Sequence, residues 1–292
     1  MKRDLWLLYG SKYDTTDNPV TWSMARHCLN HDISFDVLFI EYFSIENDAL
    51  LYNGTPCTEL PFLVFFRGHE LALAMWFEKH NVRVINNSYA IEACDDKLQT
   101  YRLLGKEPSI NLPLTFVLEN HHTYDDICCR LGPTFILKHR FGMKGESVFL
   151  ISSQKEFNAF MNSTADKDMY IEQQFIASSR GKDLRVYVAG DTIIGAVYRF
   201  NDYDFRANVS LGGNFANAPM DDNLRNLTMK IAGILRAEIV AIDYLIGDDE
   251  LFFCEANSTA GFHAFNRLGY ATTSIIMNYV CNQIKTGLHH PI

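Results

Sequence analysis

The sequence lacks the features of a membrane or secreted protein. Its apolar runs fall short of the roughly 18 residues that a membrane span requires, and the apolar segment behind the first basic pair is too short for a signal peptide. Its seven cysteines form no Cys-x-x-Cys pair and their number is odd, which indicates reduced thiols rather than a disulfide framework. We therefore expect a cytoplasmic protein that has no membrane partner.

The motifs of several common enzyme classes are also absent. No two of the 17 glycines lie two residues apart, which excludes a Gly-x-Gly-x-x-Gly dinucleotide loop, and no P-loop occurs in its usual form. The sequence contains neither the His-Glu-x-x-His pair of zinc proteases nor the Gly-x-Ser-x-Gly turn of serine hydrolases. Two adjacent histidine pairs, His121-His122 and His289-His290, stand in polar contexts that favour a solvated loop or tail over a metal site.

The composition and the charge are those of an acidic globular protein. Hydrophobic residues make up 48% of the chain and charged residues 21%, which argues against disorder. The formal net charge of −9 disfavours a broad nucleic-acid-binding surface, because phosphate backbones bind to basic faces. The charge is uneven, however, since residues 1–133 carry −7, residues 134–213 carry +1 and residues 214–292 carry −3. The middle segment could therefore still enclose one phosphate-bearing ligand.

The hydrophobic pattern divides the chain near residue 88. Before this point, short apolar strands such as Leu5–Tyr9 alternate with helical stretches, which predicts a parallel α/β sheet. The irregular stretch 42–60 is expected to form a flap or an edge hairpin around Asn53-Gly54. Beyond residue 88 we expect one charged helix over 94–104, followed by neighbouring strands with antiparallel pairing. The predicted fold class is α/β plus α+β, with domains at 1–88 and 89–292.

The most informative segment is a predicted hairpin, 239–256, that carries carboxylates. Side chains alternate along a strand, so Glu255 and Asn257 share one face. One allowed register places Asp243 opposite Glu255, with Cβ atoms about 5 Å apart. Two carboxylates and an amide oxygen that lie so close repel one another unless cations neutralise them, and hard oxygen ligands suit Mg²⁺. A solvent-facing acidic hairpin is the alternative, but apolar neighbours on both strands favour the metal site.

A second segment combines a lysine with a glycine-containing loop. Lys138 ends an apolar strand, where an ammonium group is unfavourable unless it meets an anion. The loop that follows contains Gly142, Lys144 and Gly145, and its backbone N–H groups and its cation could close over phosphates. An ordinary β-hairpin with a basic tip is equally consistent with this segment.

Two arginines lie on neighbouring strands of a further predicted hairpin, 183–200. Arg185 and Arg199 could face one pocket, and paired guanidinium groups repel each other unless a phosphate or a carboxylate lies between them. Salt bridges to nearby acids are as consistent with the sequence. Those acids are Asp183, Asp202 and Asp204.

These segments, in this order, resemble the ATP-grasp superfamily and, within it, the RimK-type carboxylate–amine ligases. The resemblance extends from about Phe62 to Phe265. The matching stretches are Asn86-Asn87-Ser88, Asp95-Asp96-Lys97-Leu98, Lys138, Glu172-Gln173-Gln174-Phe175-Ile176, Gly181-Lys182-Asp183-Leu184-Arg185, Asp204-Phe205-Arg206-Ala207-Asn208 and Gly212-Gly213, with Asp243, Glu255 and Asn257 at the metal positions. The chain departs from the family at Ala260, where proline is usual, at Leu211, where a basic residue is common, and in its glycine-poor phosphate loop. These departures border the acceptor side and bear on the identity of the substrate.

The resemblance implies an organisation and a set of site residues. It implies a pre-ATP-grasp domain at 1–88 and an ATP-grasp domain at 89–292, whose central and carboxy-terminal subdomains are 89–172 and 173–292. It implies ATP and two Mg²⁺ ions as cofactors, with Mn²⁺ as an alternative ion. The implied nucleotide-binding residues are Lys97, Lys138, Lys144, Gly145, Glu172, Gln173, Gln174, Phe175, Asp183 and Arg185. The implied metal ligands are Asp243, Glu255 and Asn257, the catalytic residues are Arg199 and Arg206, and the substrate-binding residues are Arg67, Asn208, Gly212 and Gly213.

The activity that the resemblance implies is ATP-dependent ligation. A substrate carboxylate would attack the γ-phosphate of ATP to give an acylphosphate, and an amine would then displace phosphate to form an amide or peptide bond. The implied partners are a small-molecule or peptide carboxylate and an amine such as an amino acid, and homodimers or tetramers are common in the family. Two alternatives use the same nucleotide residues, namely an ATP-grasp small-molecule kinase and a non-catalytic nucleotide-binding protein.

Overall fold

The structure, a computed structural model, describes residues 2–10, 19–142, 145–208 and 211–289. The first part of the chain contains β1 (Leu5–Tyr9), α1 (Pro19–Asn30), β2 (Phe35–Phe39), β3 (Phe43–Glu46), β4 (Ala49–Tyr52), β5 (Thr55–Pro56), β6 (Leu63–Arg67), α2 (Leu71–Lys79) and β7 (Arg83–Ile85). The middle part contains α3 (Ser88–Asp95), α4 (Lys97–Leu104), β8 (Thr115–Val117), α5 (Tyr124–Leu131), β9 (Phe135–His139), β10 (Val148–Ile151), α6 (Gln154–Ser163) and β11 (Tyr170–Gln174). The last part contains β12 (Lys182–Ala189), β13 (Thr192–Phe200), β14 (Asn214–Asn217), α7 (Asp222–Ile234), β15 (Ile239–Ile246), β16 (Leu251–Asn257), α8 (His263–Arg267) and α9 (Thr272–His289).

The amino-terminal sheet is parallel, as its alternating strands and helices predict. Its strand order is β2-β1-β6-β7, and every neighbouring pair runs parallel. The central strand β1 has all five residues buried, which is typical of a parallel strand covered on both faces. Arg67 is the last residue of β6, so it lies with the loop that follows at the carboxyl edge of the parallel sheet. Ligands commonly bind at this edge in α/β folds.

The stretch 42–60 forms a small antiparallel sheet of its own. Its strand order is β3-β4-β5, and the turn between β4 and β5 is Asn53-Gly54, where φ is +50° and +72°. Such left-handed values favour asparagine and glycine and match the twist of a hairpin. The expected hairpin around these residues is therefore confirmed, within a three-stranded sheet.

The prediction of one helix over 94–104 is wrong, because the chain breaks at Asp96. This residue is extended, with φ −93° and ψ 102°, and it separates α3 from α4. Its carboxylate accepts a hydrogen bond from the backbone N–H of Leu98 and pairs with Arg140. The carboxylate thus caps a new helix, which outweighs the helical pattern of the surrounding sequence. The break makes Lys97 the first residue of α4.

Two antiparallel sheets follow, and their packing determines which side chains face the site. The middle sheet has the order β10-β9-β11-β8, and α5 and α6 cover the face that carries Phe135 and Leu137. The carboxy-terminal sheet has the order β14-β13-β12-β15-β16. One of its faces packs on α4 and α7, and the other packs on α9 and the amino-terminal sheet. Within the described ranges, no helix combines the length and the apolar character needed to cross a membrane.

Candidate active site

The β15–β16 hairpin places Asp243 and Glu255 opposite each other. They are register partners, and Ala241 is the partner of Asn257, so that both carboxylates and the amide lie on one face of the sheet. A bulge directly after Asp243 interrupts the register. The Asn257 side chain donates to a Glu255 carboxylate oxygen at 3.2 Å. The register expected from the sequence is therefore confirmed.

Asp243 is at the centre of a buried ion-pair network. It is 1% exposed and accepts two hydrogen bonds from Arg185, both at 2.6 Å, and one from Arg199 at 2.7 Å. Arg199 also donates to Asp183 at 2.7 Å through its Nε atom. We call these four residues the arginine–aspartate network. The two arginines thus share an anion, but this anion is the Asp243 carboxylate of the protein itself. Of the three acids that the sequence offered as alternative salt-bridge partners, Asp183 is the one that pairs with Arg199.

The network changes the pKa values of its own acids. Burial acts to raise the pKa of Asp243, but Arg185 and Arg199 outweigh it and hold this pKa below its ordinary value. Burial raises the pKa of Asp183 above its ordinary value, since Arg199 opposes it only in part. The charge of Asp243 is therefore the better stabilised of the two, and it depends on both guanidinium groups.

Lys138 is a buried cation without a carboxylate partner. It is 4% exposed, and its nearest hydrogen-bond acceptor is the Tyr101 hydroxyl at 3.4 Å, with the Tyr101 ring centroid at 5.1 Å. In the part of the chain that the structure describes, no carboxylate oxygen forms an ion pair with its Nζ atom. Burial accordingly lowers its pKa. An ammonium group in this position is favourable only when an anion binds beside it.

Lys97 and Gly145 connect the glycine loop to its surroundings. The Nζ atom of Lys97 donates to the Gly142 carbonyl at 2.5 Å. Arg206 donates to the Gly145 carbonyl at 2.5 Å, and it also pairs with Asp204 at 2.7 Å. Gly145 has φ +75°, a left-handed conformation that favours glycine, and a Cβ atom there would lie 2.9 Å from a side-chain oxygen of Asn208. Lys144, which the sequence also predicts for this loop, lies outside the described residues.

A single cavity brings most of the predicted site residues together, and we call it the central cavity. It is lined by both apolar and polar side chains, a combination that is typical of small-molecule sites. Its apolar lining includes Ile136, Val148, Ile176 and Leu245. The predicted residues that line it are Lys97, Lys138, Gly145, Gln173, Gln174, Phe175, Asp183, Arg199, Arg206, Asn208, Asp243 and Glu255. Cations, carboxylates and apolar side chains thus line the same cavity.

The other predicted residues that the structure describes do not line the central cavity. Arg185 contacts Asp243. Arg67 donates to the Thr259 and Ala260 carbonyls at 3.5 and 3.4 Å. Asn257 lines an adjoining cavity, described below. The glycine pair 212–213 follows the Asp204–Asn208 loop, and a Cβ atom on its second glycine would lie 2.6 Å from the Ala207 carbonyl. Glu172 faces away from the cavity altogether.

The position of Glu172 follows from the strand alternation. Lys138 is the register partner of Ile171, and Leu137 is the register partner of Glu172, so Glu172 points with Leu137 toward α5. There it is fully buried, with Arg130 Nη2 at 2.6 Å and His122 Nδ1 at 3.6 Å from its carboxylate oxygens. Burial raises the pKa of Glu172 to about 7, although Arg130 opposes the shift.

We expect Glu172 to make the stability of the protein depend on pH. Its pKa is about 7 in the folded protein and about 4.5 in the unfolded chain, so the folded state binds more protons between these values. The free energy of unfolding should therefore fall, by roughly 1–3 kcal/mol, as the pH rises through this window. Glu172→Gln should remove this fall. Denaturant unfolding of both proteins at several pH values measures it, and parallel stability curves would contradict the buried carboxyl.

An adjoining cavity, which we call the His69 cavity, contains residues that the sequence analysis missed. It is lined by His69, Cys94, Asp95, Lys97, Thr100, Tyr101, Phe141, Gly142, Phe253, Cys254, Glu255, Ala256, Asn257 and Ser258. Lys97 and Glu255 line both cavities. Tyr101 could have been found from its spacing, because it lies four residues after Lys97 on the same helix. His69 follows Arg67 by two residues, but its contacts are distant in sequence and give no local signal.

Comparisons with known proteins identify the family of the chain. A family model described as RimK-like ATP-grasp domain matches residues 94–280. N-acetylaspartylglutamate synthase A of Mus musculus is 26% identical over 286 residues, which cover 91% of this chain and 75% of that protein. Beta-citrylglutamate synthase B of Homo sapiens is 25% identical over 303 residues, which cover 97% of this chain and 78% of that protein.

A solved structure supports the same assignment of fold. The RimK domain ATP-grasp protein from Sphaerobacter thermophilus has a TM-score of 0.73 at 18% identity, and the match covers 94% of this chain and 99% of that one. The family match spans more than half of the chain and includes Lys97, Lys138, Asp243 and Glu255. The predicted fold class is confirmed, and the chain belongs to the RimK-like ATP-grasp family.

Proposed function

We propose that the protein is an ATP-dependent carboxylate–amine ligase that releases ADP. The observation that carries this proposal is that an unpaired buried cation and an unpaired carboxylate line the same cavity. Lys138 is a buried cation that needs an anion, and it faces the same space as the carboxylate of Glu255, which has no cationic partner among the described residues. A metal-bound triphosphate satisfies both. The family membership and the ligase relatives support the same conclusion.

The nucleotide would occupy the central cavity along its length. Lys97 and Lys138 would hold phosphate oxygens, with the glycine loop, including Lys144, over them. Gln173, Gln174 and Phe175 line the cavity beside apolar side chains, which suits an adenine ring. Glu172 could take part only through its backbone, because its side chain is buried on the other face of β11.

The acidic side chains that line the cavity fit Mg²⁺. Within the described residues, Glu255 accepts only the 3.2 Å bond from Asn257, which leaves carboxylate oxygen sites for a cation. Asp243 contributes oxygens that are already bonded to Arg185 and Arg199, so it is the weaker donor. We propose that these two acids and Asn257 hold two Mg²⁺ ions, or Mn²⁺ in their place. Bound ions of this kind neutralise the charge that develops on the phosphates.

The side chains of the protein would then act mainly by positioning. A substrate carboxylate attacks the γ-phosphorus of ATP, ADP leaves, and the acylphosphate has a leaving group that a carboxylate lacks. An amine attacks the acyl carbon and displaces phosphate. Arg206 lies between the glycine loop and Asp204, where it can stabilise the transferred phosphate, while Arg199 adds positive charge from within the arginine–aspartate network. Arg67, Asn208 and the glycine pair 212–213 are proposed to border the acid substrate.

The names of the relatives suggest the class of substrates. One relative is named for the joining of N-acetylaspartate with glutamate, and the other for the joining of citrate with glutamate. We propose that the acid is a small molecule with several carboxylates or a peptide, and that the amine is an amino acid, with glutamate as the first candidate.

The test measures ADP release in three mixtures, namely ATP alone, ATP with an acid, and ATP with an acid and glutamate. The acids are N-acetylaspartate, citrate and a short acidic peptide. A ligase releases ADP at a high rate only in the complete mixture and forms an amide that mass spectrometry detects. A phosphorylated acid that accumulates without the amine would favour the kinase. Nucleotide binding without turnover in every mixture would favour the non-catalytic protein.

We expect Lys138→Met to weaken ATP binding by about 10- to 100-fold, because the variant loses a charge-assisted hydrogen bond to phosphate. The fold should not suffer, since methionine removes a buried ammonium that has no ion-pair partner among the described residues. Titration calorimetry with ATP measures the affinity. Lys155→Met, an exposed change on α6, is the matched control and should bind like the wild type. Wild-type ATP affinity in Lys138→Met would contradict the assignment of the phosphate site.

We also propose the organisation that the sequence suggested, with domains at 1–88 and 89–292 and subdomains at 89–172 and 173–292. The three larger sheets support this division. The free thiols of all seven cysteines and the net charge of −9 support a cytoplasmic protein that does not bind nucleic acid or a membrane. A homodimer or tetramer is proposed from the family alone.

A further inference from the structure

Arg140 contacts two consecutive residues at the start of α4. Its Nε atom donates to one carboxylate oxygen of Asp96 at 3.0 Å, and its Nη2 atom pairs with the other oxygen. Its backbone carbonyl accepts from the backbone N–H of Lys97 at 3.1 Å and from the Lys97 Nζ atom at 3.5 Å. Arg140 directly follows β9. The segment that leads from β9 into the glycine loop is therefore bound to the helix that begins at Lys97.

Asp96 carries a negative charge that Arg140 balances. The residue is 9% exposed, and its carboxylate caps α4 by accepting from the Leu98 backbone N–H at 3.0 Å. Burial acts to raise the pKa of Asp96, but Arg140 and the helix N–H groups outweigh it and hold this pKa below its ordinary value. Among the described residues, Arg140 forms the only ion pair with this carboxylate. The acid is thus ionised, and one guanidinium group neutralises it.

Lys97, the next residue, carries a positive charge that is not neutralised by a carboxylate. It is 8% exposed and lines both the central cavity and the His69 cavity. Its Nζ atom donates to the carbonyls of Arg140 and Gly142, and it forms no ion pair within the described ranges. The Cα atoms of consecutive residues lie about 3.8 Å apart. A carboxylate of Asp96 without its partner would therefore attract the Lys97 ammonium and repel phosphates beside it.

We propose that Arg140 is a positioning residue, which keeps Lys97 available to the phosphates of ATP by neutralising Asp96. This inference rests on the nucleotide site of the proposed function. Arg140 lines neither cavity, so it acts through Asp96 and Lys97 and not by contact with the nucleotide. The carboxylate itself serves α4, because it caps the first turn, and Arg140 offsets the charge that this cap brings to the phosphate site.

Two other roles for Arg140 give different results when Asp96 is changed as well. If Arg140 bound phosphate directly, its loss would weaken ATP binding whether or not residue 96 carried a charge. If its side chain served only to hold the loop against α4, the loss would likewise persist in a protein without the Asp96 carboxylate. Neutralisation alone predicts that removal of the carboxylate restores the affinity, because no negative charge is then left to balance.

The test measures the affinity for ATP with Mg²⁺ by titration calorimetry. In Arg140→Met we expect the affinity to fall about tenfold, because the Asp96 charge is left unbalanced beside Lys97. Asparagine caps a helix as well as aspartate does, so Asp96→Asn should stay within about threefold of the wild type. The double variant should also return to within about threefold of it. Arg102→Met, an exposed change in the last turn of α4, is the matched control and should bind like the wild type.

Two further variants separate the charge of Arg140 from its shape. Arg140→Lys keeps the charge and should bind ATP within about threefold of the wild type, while the uncharged Arg140→Gln should repeat the tenfold loss and replaces Arg140→Met if that variant does not fold. Wild-type affinity in the folded uncharged variants would overturn the proposal. A double variant that binds as weakly as Arg140→Met would also overturn it. Failure of the wild type to bind ATP would instead contradict the proposed nucleotide site itself.

Discussion

Glu255→Gln is expected to lower ATP turnover by about 1,000-fold or more, which corresponds to at least about 4 kcal/mol of transition-state stabilisation. Glu255 is half-buried and lines both cavities, and the only hydrogen bond that its carboxylate accepts among the described residues comes from Asn257. The amide of glutamine has nearly the same shape but no charge. The loss of the carboxylate charge would weaken the proposed Mg²⁺ site, where phosphate charge develops.

Initial rates of ADP release at saturating ATP and Mg²⁺ measure this effect, together with the melting temperature. Glu250→Gln is the matched control, because Glu250 lies on the turn of the same hairpin, where it is exposed and bonds to Asn111 at 2.7 Å. The control should turn over ATP at the wild-type rate. A Glu255→Gln protein that is folded and keeps more than about a tenth of the wild-type rate would contradict the metal site.

Asp243→Asn is expected to lower the free energy of unfolding by about 3–5 kcal/mol. The substitution removes one of the two carboxylates that balance Arg185 and Arg199 inside the carboxy-terminal sheet. An asparagine side chain can accept from only one of these guanidinium groups through its single oxygen, and a positive charge stays buried without a partner. The variant therefore loses stability as well as any role that Asp243 has in binding metal.

Urea unfolding of the purified protein measures this loss. Asp202→Asn, an exposed change in the loop after β13, is the matched control and should stay within about 0.5 kcal/mol of the wild type. Wild-type stability in Asp243→Asn would contradict the arginine–aspartate network. Because this loss of stability also lowers activity indirectly, Glu255→Gln is the cleaner test of the metal site.

The sequence was sufficient to predict the structure where the local alternation of side chains determines which residues face each other. Alternation along β15 and β16, together with a short turn, was enough to predict that Asp243 lies opposite Glu255. The same alternation shows why Glu172 was harder to assign. It matched the family motif together with Gln173 and Gln174, yet its side chain points toward α5, where Arg130 on another element holds it. A motif predicts that a strand borders the site, but only every second side chain of that strand points toward the site. The position of each residue in this alternation therefore determines whether its side chain can contact a ligand.

The rest depended on contacts between distant parts of the chain. The carboxylate that joins Arg185 to Arg199 is Asp243, 58 and 44 residues away along the chain, and no sequence spacing specifies this pairing. His69 lies 190 residues from Thr259, and the two meet only because the amino-terminal and carboxy-terminal sheets pack together. The break at Asp96 was missed because the apolar pattern continues across a residue whose carboxylate caps the next helix.

The most direct test of the central claim follows an oxygen atom. The acid substrate is labelled with ¹⁸O in its carboxylate, and phosphate and amide are analysed by mass spectrometry after turnover with ATP and glutamate. Ligation through an acylphosphate transfers a carboxylate oxygen to phosphorus, so the account predicts ¹⁸O in the released inorganic phosphate. Unlabelled phosphate formed together with an amide would contradict that account.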